Sequence, residues 1–443
     1  MHVNRRRITI AAMAGALALT LAACGSDSSS SSSTPEGPAT GEISVWVHGG
    51  ATDAEKKAAQ DAVKNFNASQ SDITAKLQFI PDQQKVISAT DPAELGDVVE
   101  ADGEAMSANV YAGKLQPLEG LVSQETLDNQ NTSVAAQNTY GGDGKRYMVS
   151  MFDSGLALYG NKQLLDAAGV KYPTTWDAAW TPEEFTKALE ALAAKDADKK
   201  VLDVKENYGL AGYSSYAMLP IVNSAGHLAV EDGKSEGALD NDAVVKAFTT
   251  VAGWKKFTDA NADDKAFVTK RVALSWVGHW VYNDYKKALG ANLVVIPLPN
   301  FGAGAKTGQG SLAWGISKGS DNPRAAAVFL DFLMKDEQVK AMTDANGAPP
   351  GTKTVMATSK LYAPGGALEL YSTALQNSCG DGAPTPDCIA VPRTISPGWP
   401  TIGAKFGEAF TNIWNGSDPK SELTKAAKAI DQDFADNDGY AVK

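Results

Sequence analysis

The chain is poor in the side chains that bind metals: 443 residues carry four histidines and three cysteines. Past the leader, His48, His227 and His279 stand far apart, without an i+4 partner or an H-x-H spacing, so no zinc-type ligand set is expected. Lysine and arginine clusters are missing from the body. Acids outnumber bases by 52 to 40. Such a surface repels phosphate backbones and anionic headgroups, which argues against nucleic acid as a partner and against spreading on lipid. Beyond residue 23 no run of 18 or more apolar residues occurs, so no spanning helix is expected. A phosphate loop is missing too. Gly144-Lys145 is followed by Arg146 where Ser or Thr is needed, and the loose Gly308-Gln309-Gly310-Ser311-Leu312-Ala313 pattern leads into a strand instead of a helix. No cofactor is expected.

At the start, Arg5, Arg6 and Arg7 precede an apolar run from Ile8 to Ala23, the pattern of a secretory signal. Its end, Leu21-Ala22-Ala23-Cys24, is similar to the bacterial lipobox, so Cys24 is expected to be lipidated after cleavage. Residues 24–41 are serine-rich and serve as a flexible tether. Without residues 1–23, 37 bases face 52 acids, a formal charge of −15. The remaining cysteines, Cys379 and Cys388, lie nine apart in a Gly/Pro-rich segment and are expected to form one disulfide in an exported chain. The chain is therefore expected at the cell membrane, lipid-anchored and facing outward.

The body opens with an alternating strand at 42–47. A capping box of Thr52 and Glu55 then starts a helix running to about Phe66. Strands are expected at 73–80 and 97–102, and this rhythm indicates βαβ units and a largely parallel sheet. A Gly-Asp-Gly turn within 140–151 signals a hairpin. Thr181-Pro182 and Asp418-Pro419 start later helices. Residues 291–301 and 311–317 are read as strands, and Asn322-Pro323 opens another helix. About 400 residues at ordinary apolar content are enough for two or three lobes with cores of their own.

Little here points to catalysis. Gly315-Ile316-Ser317-Lys318-Gly319 matches the nucleophile elbow, but the last histidine, His279, lies upstream, which breaks the order that fold requires. Paired carboxylates such as Asp153, Asp102 and Glu100 remain open as a glycosidase alternative.

Seven segments, in order, resemble the extracellular solute-binding proteins, family 1, of carbohydrate ABC importers. They are ISVWVHGGATDAEKKAAQDAVKNFN, DVVEADGEAMSANVYAGKLQPL, the run from Gly144 to Trp180, VALSWVGHWVYNDY (with Leu274 where the family has Met), IPLPNF, AWGISKGSDNPRAAAVFLDFL and PRTISPGWPTIGAKFGEAF. The resemblance covers the chain from about Gly41 to Lys443. It implies an α/β, two-lobed periplasmic-binding-protein-like fold with a hinge and an interlobe ligand cleft. Lobe 1 would span 42–152 and 306–350, and lobe 2 would span 153–305 and 351–443. The chain would cross near Asp153, near Pro299–Gly310 and near Pro349-Pro350. The implied function is capture of a carbohydrate, an oligosaccharide by the count of aromatics, for delivery by a monomer to ABC permease subunits, with no turnover. A glycan-processing enzyme and a binder of a non-sugar solute are the alternatives.

Sugar recognition needs flat apolar platforms, fixed acceptors and forked donors. Trp280 matches the family's cleft tryptophan and leads the candidates. Trp276, Trp314 and Trp399 are further platforms; Asp102 and Asp153 are candidate acceptors, and Arg393 the fork. Trp46 and His48 end the first strand at the expected cleft mouth, and Tyr213 and Asp82 complete the set. Trp176, Trp180, Trp254 and Trp414 are read as packing residues.

Overall fold

Alternation of apolar residues along β1 (Gly41–His48) buries Ile43, Val45 and Val47 and leaves Trp46 and His48 half-buried on the other face. The computed structural model describes residues 38–310, 312–380 and 382–441. The signal sequence, Cys24 and the tether up to residue 37 lie outside the described residues.

β1 pairs in parallel with β2 (Ile73–Ile80) and β3 (Val98–Asp102). Between β1 and β2 runs helix α1 (Asp53–Ser69), whose capping box of Thr52 and Glu55 closes in both directions. The expected βαβ rhythm is therefore present at this edge. The sheet then departs from parallel: β11 (Leu312–Ser317) lies antiparallel against β3, with β4 (Leu115–Gln116) and β5 (Met148–Val149) antiparallel to it in turn. β11 reaches this sheet only after the chain has built a second one, so no crossover helix fixes its direction. The Gly-Asp-Gly turn does make a hairpin, closed by the antiparallel bridge of Thr139 to Arg146.

The second sheet has the order β7 (Leu202–Asp203), β8 (Leu274–Gly278), β6 (Leu156–Asn161), β9 (Leu293–Ile296). β6 is antiparallel to both β8 and β9, so this half is not the parallel sheet expected. β9 stops at Ile296, short of the strand read at 291–301, because Pro297 and Pro299 offer no N–H to a ladder.

Each sheet has its own core. Phe66, Trp314 and Phe329 pack on the first. On the second lie Trp176, Trp180, Trp254, Trp276, Trp399 and Trp414. Burial of each such aromatic contributes roughly 1.5–3 kcal/mol. The first core's residues come from 43–152 and 313–355, and those of the second from 156–305 and 362–430. Where the chain passes between them, three segments meet. Phe152 bridges Pro350, the Asp153 N–H donates to the Pro349 carbonyl at 2.9 Å, and β10 (Thr307–Gln309) pairs in parallel with β12 (Ala390–Pro392). The Cys379–Cys388 disulfide is formed, and the Cys379 N–H donates to the Ala390 carbonyl at 2.7 Å, which ties that loop to β12. No helix among the described residues is long and apolar enough to cross a membrane.

Two helices with backbone-close packing set the wall of the region between the cores. Helix α2 (Leu210–Ala217) lies against helix α4 (Trp399–Trp414), and a Cβ on Gly407 would sit 1.8 Å from the Ala211 carbonyl oxygen. Only glycine allows that approach. Gly407→Ala is expected to push the helices apart and cost roughly 1–3 kcal/mol, as overpacking of a core does; thermal unfolding of the variant measures it, and an unchanged midpoint would contradict the packing.

Candidate functional site

Three consecutive features aim one tryptophan. β8 ends at Gly278, a single 3-10 turn spans His279–Val281, and helix α3 (Tyr282–Leu289) follows directly. The Trp280 ring folds back over Gly278, where a Cβ would come within 2.0 Å of it. Trp280 is thereby held across the strand end, half-buried, with its indole N–H donating to the Tyr208 hydroxyl at 3.2 Å. Tyr208 and Tyr216 lie at centroid distances of 6.5 and 6.4 Å, and Tyr213 stands edge-on to Tyr208 at 5.2 Å. Tyr213 and Tyr216 come from α2, three residues apart and so on one face.

This aromatic wall borders a cavity of about 530 Å³. His48, Glu55, Asp102, Asp264 and Arg393 supply its charged groups. A groove of about 510 Å³ adjoins it, sharing His48, Gly50, Asp102 and Leu312 and adding Asp82, Gln84 and Lys85.

The polar groups are held firmly. The His48 ring lies 2.8 Å from the buried Glu100 carboxylate. Burial opposes a charge on His48, but Glu100, joined by Glu55 and Asp102, outweighs it and raises the imidazole to about 9. Arg393 stacks on the Tyr216 ring at 4.8 Å and pairs with the buried Glu104 at 2.5 Å. Burial raises the Glu104 carboxyl, and Arg393 works against that rise. A Cβ on Gly310 would come within 2.7 Å of the guanidinium, so glycine there leaves it room.

His279 is buried beside the wall. Its Nδ1 faces the Asn346 carbonyl at 3.1 Å and its Nε2 faces the Ser154 hydroxyl at 2.9 Å. A carbonyl only accepts, so Nδ1–H is the donor and Nε2 accepts from Ser154. Burial pushes its pKa down to about 4.

Of the residues expected from sequence, Trp280, Asp102, Arg393, His48 and Tyr213 line the cavity and Asp82 lines the groove. Five others do not reach it. Trp276 and Trp399 are buried in the second core and Trp314 in the first. Each points to the inner face of its element, where an aromatic gains most by burial. The half-buried Trp46 packs over Gly96 toward a small cluster with Ile87 and Leu95. Asp153 is buried at the junction, accepting from Ser133 at 2.8 Å, from Gln309 at 3.0 Å and from the Ser154 N–H at 2.8 Å. Burial raises its pKa against those hydrogen bonds. Tyr208, Tyr216, Glu55 and Asp264 were not foreseen. Tyr216 had a signal, the i+3 spacing from Tyr213, whereas Asp264 comes from a loop placed by tertiary contacts alone.

Residues 61–367 match the family of bacterial extracellular solute-binding proteins, and the chain belongs to that family. It is similar to the multiple sugar-binding protein of Streptococcus mutans, 24% identical over 313 residues, 66% of this chain and 71% of that one. Among solved structures it is similar to an ABC substrate-binding protein of Listeria monocytogenes in complex with cycloalternan, at 21% identity and a TM-score of 0.71 over 89% of this chain and 99% of that one. It is also similar to the GacH receptor of Streptomyces glaucescens, solved unliganded and with acarbose, at 20% identity and a TM-score of 0.68 over 90% and 98%. The fold is thus the two-lobed α/β architecture of periplasmic binding proteins, with its cleft between the lobes.

The buried His279 makes stability pH-dependent. Its pKa is depressed, so its contribution is present above about 6.5 and is lost as pH falls toward about 4. Denaturation of His279→Gln at pH 7 and pH 4.5 is expected to show a smaller loss than the parent, by roughly 2–3 kcal/mol. An equal loss would show that the histidine is not held neutral.

Proposed function

We propose that this chain is the substrate-binding subunit of an ABC importer that captures a carbohydrate outside the cell and delivers it to a membrane permease. One observation carries the reading: the wall of Trp280, Tyr208, Tyr213 and Tyr216 stands on the same cavity as the carboxylates and imidazole of Glu55, Asp102 and His48. Sugar rings present apolar C–H faces and polar hydroxyl edges together, and this cavity offers partners for both. Its volume lies within the roughly 300–1,000 Å³ of small-ligand sites, and the adjoining groove supports a ligand longer than one ring. The multiple sugar-binding relative and the neighbours solved with cycloalternan and acarbose support the same class.

In this reading lobe 1 spans 42–152 and 306–350 and lobe 2 spans 153–305 and 351–443, with Val355 still packed on the first core. Ligand touches both lobes only when they are closed, so binding shifts the population toward the closed form that a permease would recognise. Cys24 carries the lipid, the chain is a monomer, and the sugar leaves unaltered. Ser317, the elbow candidate, is buried at the end of β11 with its hydroxyl donating to the Pro92 carbonyl at 3.2 Å, which supports a structural role.

A thermal-shift panel of sugars, polyols, peptides and polyamines tests the reading. A saccharide at a hundred times its Kd is expected to stabilise by about 2.7 kcal/mol. A peptide or polyamine as sole stabiliser would contradict it. Trp280→Ala is expected to weaken binding of that saccharide by about 1 kcal/mol or more, the scale of an aromatic contact, and unchanged affinity in the folded variant would remove Trp280 from the site.

A further inference from the structure

Residues 304–309, which carry the chain from the second core back to the first, are fastened to the disulfide-closed loop along their length. Lys306 is only 2% exposed, and its ammonium donates to the carbonyls of Thr385 at 2.8 Å and Cys388 at 2.6 Å. A buried ammonium is tolerated only when its donors are filled, so these carbonyls have to stay in place. A Cβ on Gly304 would come within 2.6 Å of the Pro386 carbonyl oxygen, so loop and crossing segment meet backbone to backbone. The Thr307 N–H donates to the Ile389 carbonyl at 3.0 Å. The Ser378 hydroxyl donates to the Gln309 amide oxygen at 2.6 Å, and the Gln309 amide nitrogen donates in turn to Asp153.

This chain of contacts ends at the cavity. β10 and β12 pair as far as Gln309 opposite Pro392, and the residues that follow are Gly310 and Arg393. The Arg393 guanidinium lies against Gly310 and over the Tyr216 ring. Glu104 holds the charged head, but the backbone that carries it belongs to β12. β10 and β12 form a two-stranded ladder of three residues each, too short to hold its register unaided. The loop supplies what the ladder lacks, gripping β10 through Lys306 and β12 through the Cys379 N–H, with the Cys379–Cys388 bond closing it.

We propose that Lys306 and the Cys379–Cys388 disulfide are positioning elements for ligand binding, clamping β12 to β10 so that Arg393 presents its guanidinium to the cavity, and that ligand affinity is therefore redox-sensitive. Both sulfurs belong to half-buried residues on an otherwise exposed loop, within reach of a dithiol. The dithiol gives up two electrons and two protons, the S–S bond becomes two thiols, and the dithiol closes to its own disulfide. Without the cross-link the loop no longer holds its carbonyls at Lys306. The proposal rests on the carbohydrate reading in taking this cavity as the ligand site.

Hydrogen exchange of the ligand-free chain tests the clamp without any sugar. Amides of residues 389–393 are expected to exchange faster after reduction with dithiothreitol and in Lys306→Met, while those of β1 and β2 keep their protection. Unchanged exchange at 389–393 would overturn the proposal. Calorimetric titration with maltotetraose, cycloalternan and acarbose reads the consequence. The Kd of a probe that binds is expected to rise about fivefold on reduction and in Lys306→Met, as when the competent arrangement is held a fifth of the time. In Arg393→Ala neither change is expected to weaken binding further. The full extra loss in that background, or an unchanged Kd in the folded, reduced chain, would overturn the proposal and leave the carbohydrate reading standing. No binding by any saccharide, with exchange still faster on reduction, would contradict the carbohydrate reading and leave the clamp standing.

Discussion

Asp153 is the point on which the rest of the site depends. Its carboxylate is buried where three segments pass between the two cores, and it accepts from Ser133, from Gln309 and from the N–H of Ser154. A buried charge is tolerated only when its acceptors are filled, so these donors are fixed in place by the cost of leaving it bare. The order they impose runs onward. The Ser154 hydroxyl donates to His279, His279 donates to the Asn346 carbonyl, and the Asn346 amide donates to Glu55 on the cavity edge. Trp280 follows His279 directly. A junction carboxylate thus orients both a platform and an acid of the cavity without touching the space where a ligand would sit.

The paired tryptophans at 276 and 280 show how backbone geometry divides similar residues between structure and recognition. Trp276 is in the middle of β8 and faces the core; Trp280 lies past the strand end, its ring across a glycine. Four residues apart would put them on one face of a helix, but the strand, the glycine and the 3-10 turn separate them. The tyrosines Tyr213 and Tyr216 are helical, and there the i+3 spacing does keep them together. Their helix reaches the cavity because Gly407 lets its neighbour approach so closely.

Much of this was legible beforehand, for physical reasons that apply locally. The capping box at Thr52 is written in four residues and closes as read, and the helix start read at Thr181-Pro182 closes a capping box with Glu184 as well. β2 matches its expected span at both ends because its apolar alternation is uninterrupted. Strand direction was harder: β11 and β6 run antiparallel to their neighbours, and those partners lie far along the chain, Asp102 opposite Leu312 and Gly278 opposite Leu156. The same limit governs the site. Trp280, Arg393 and His48 were found through ordered motifs, whereas Trp314 and Trp399 have the right chemistry and face inward. Asp264 reaches the rim from a loop that no local pattern marks.

The central claim is that this cavity binds a carbohydrate and returns it unchanged. Calorimetric titration of the purified chain with the saccharide that stabilises it, followed by mass analysis of the recovered ligand, tests this most directly. The account predicts saturable binding of one saccharide per chain and recovery at its original mass. Shortened or hydrolysed product, or no saturable binding of any saccharide, would contradict it.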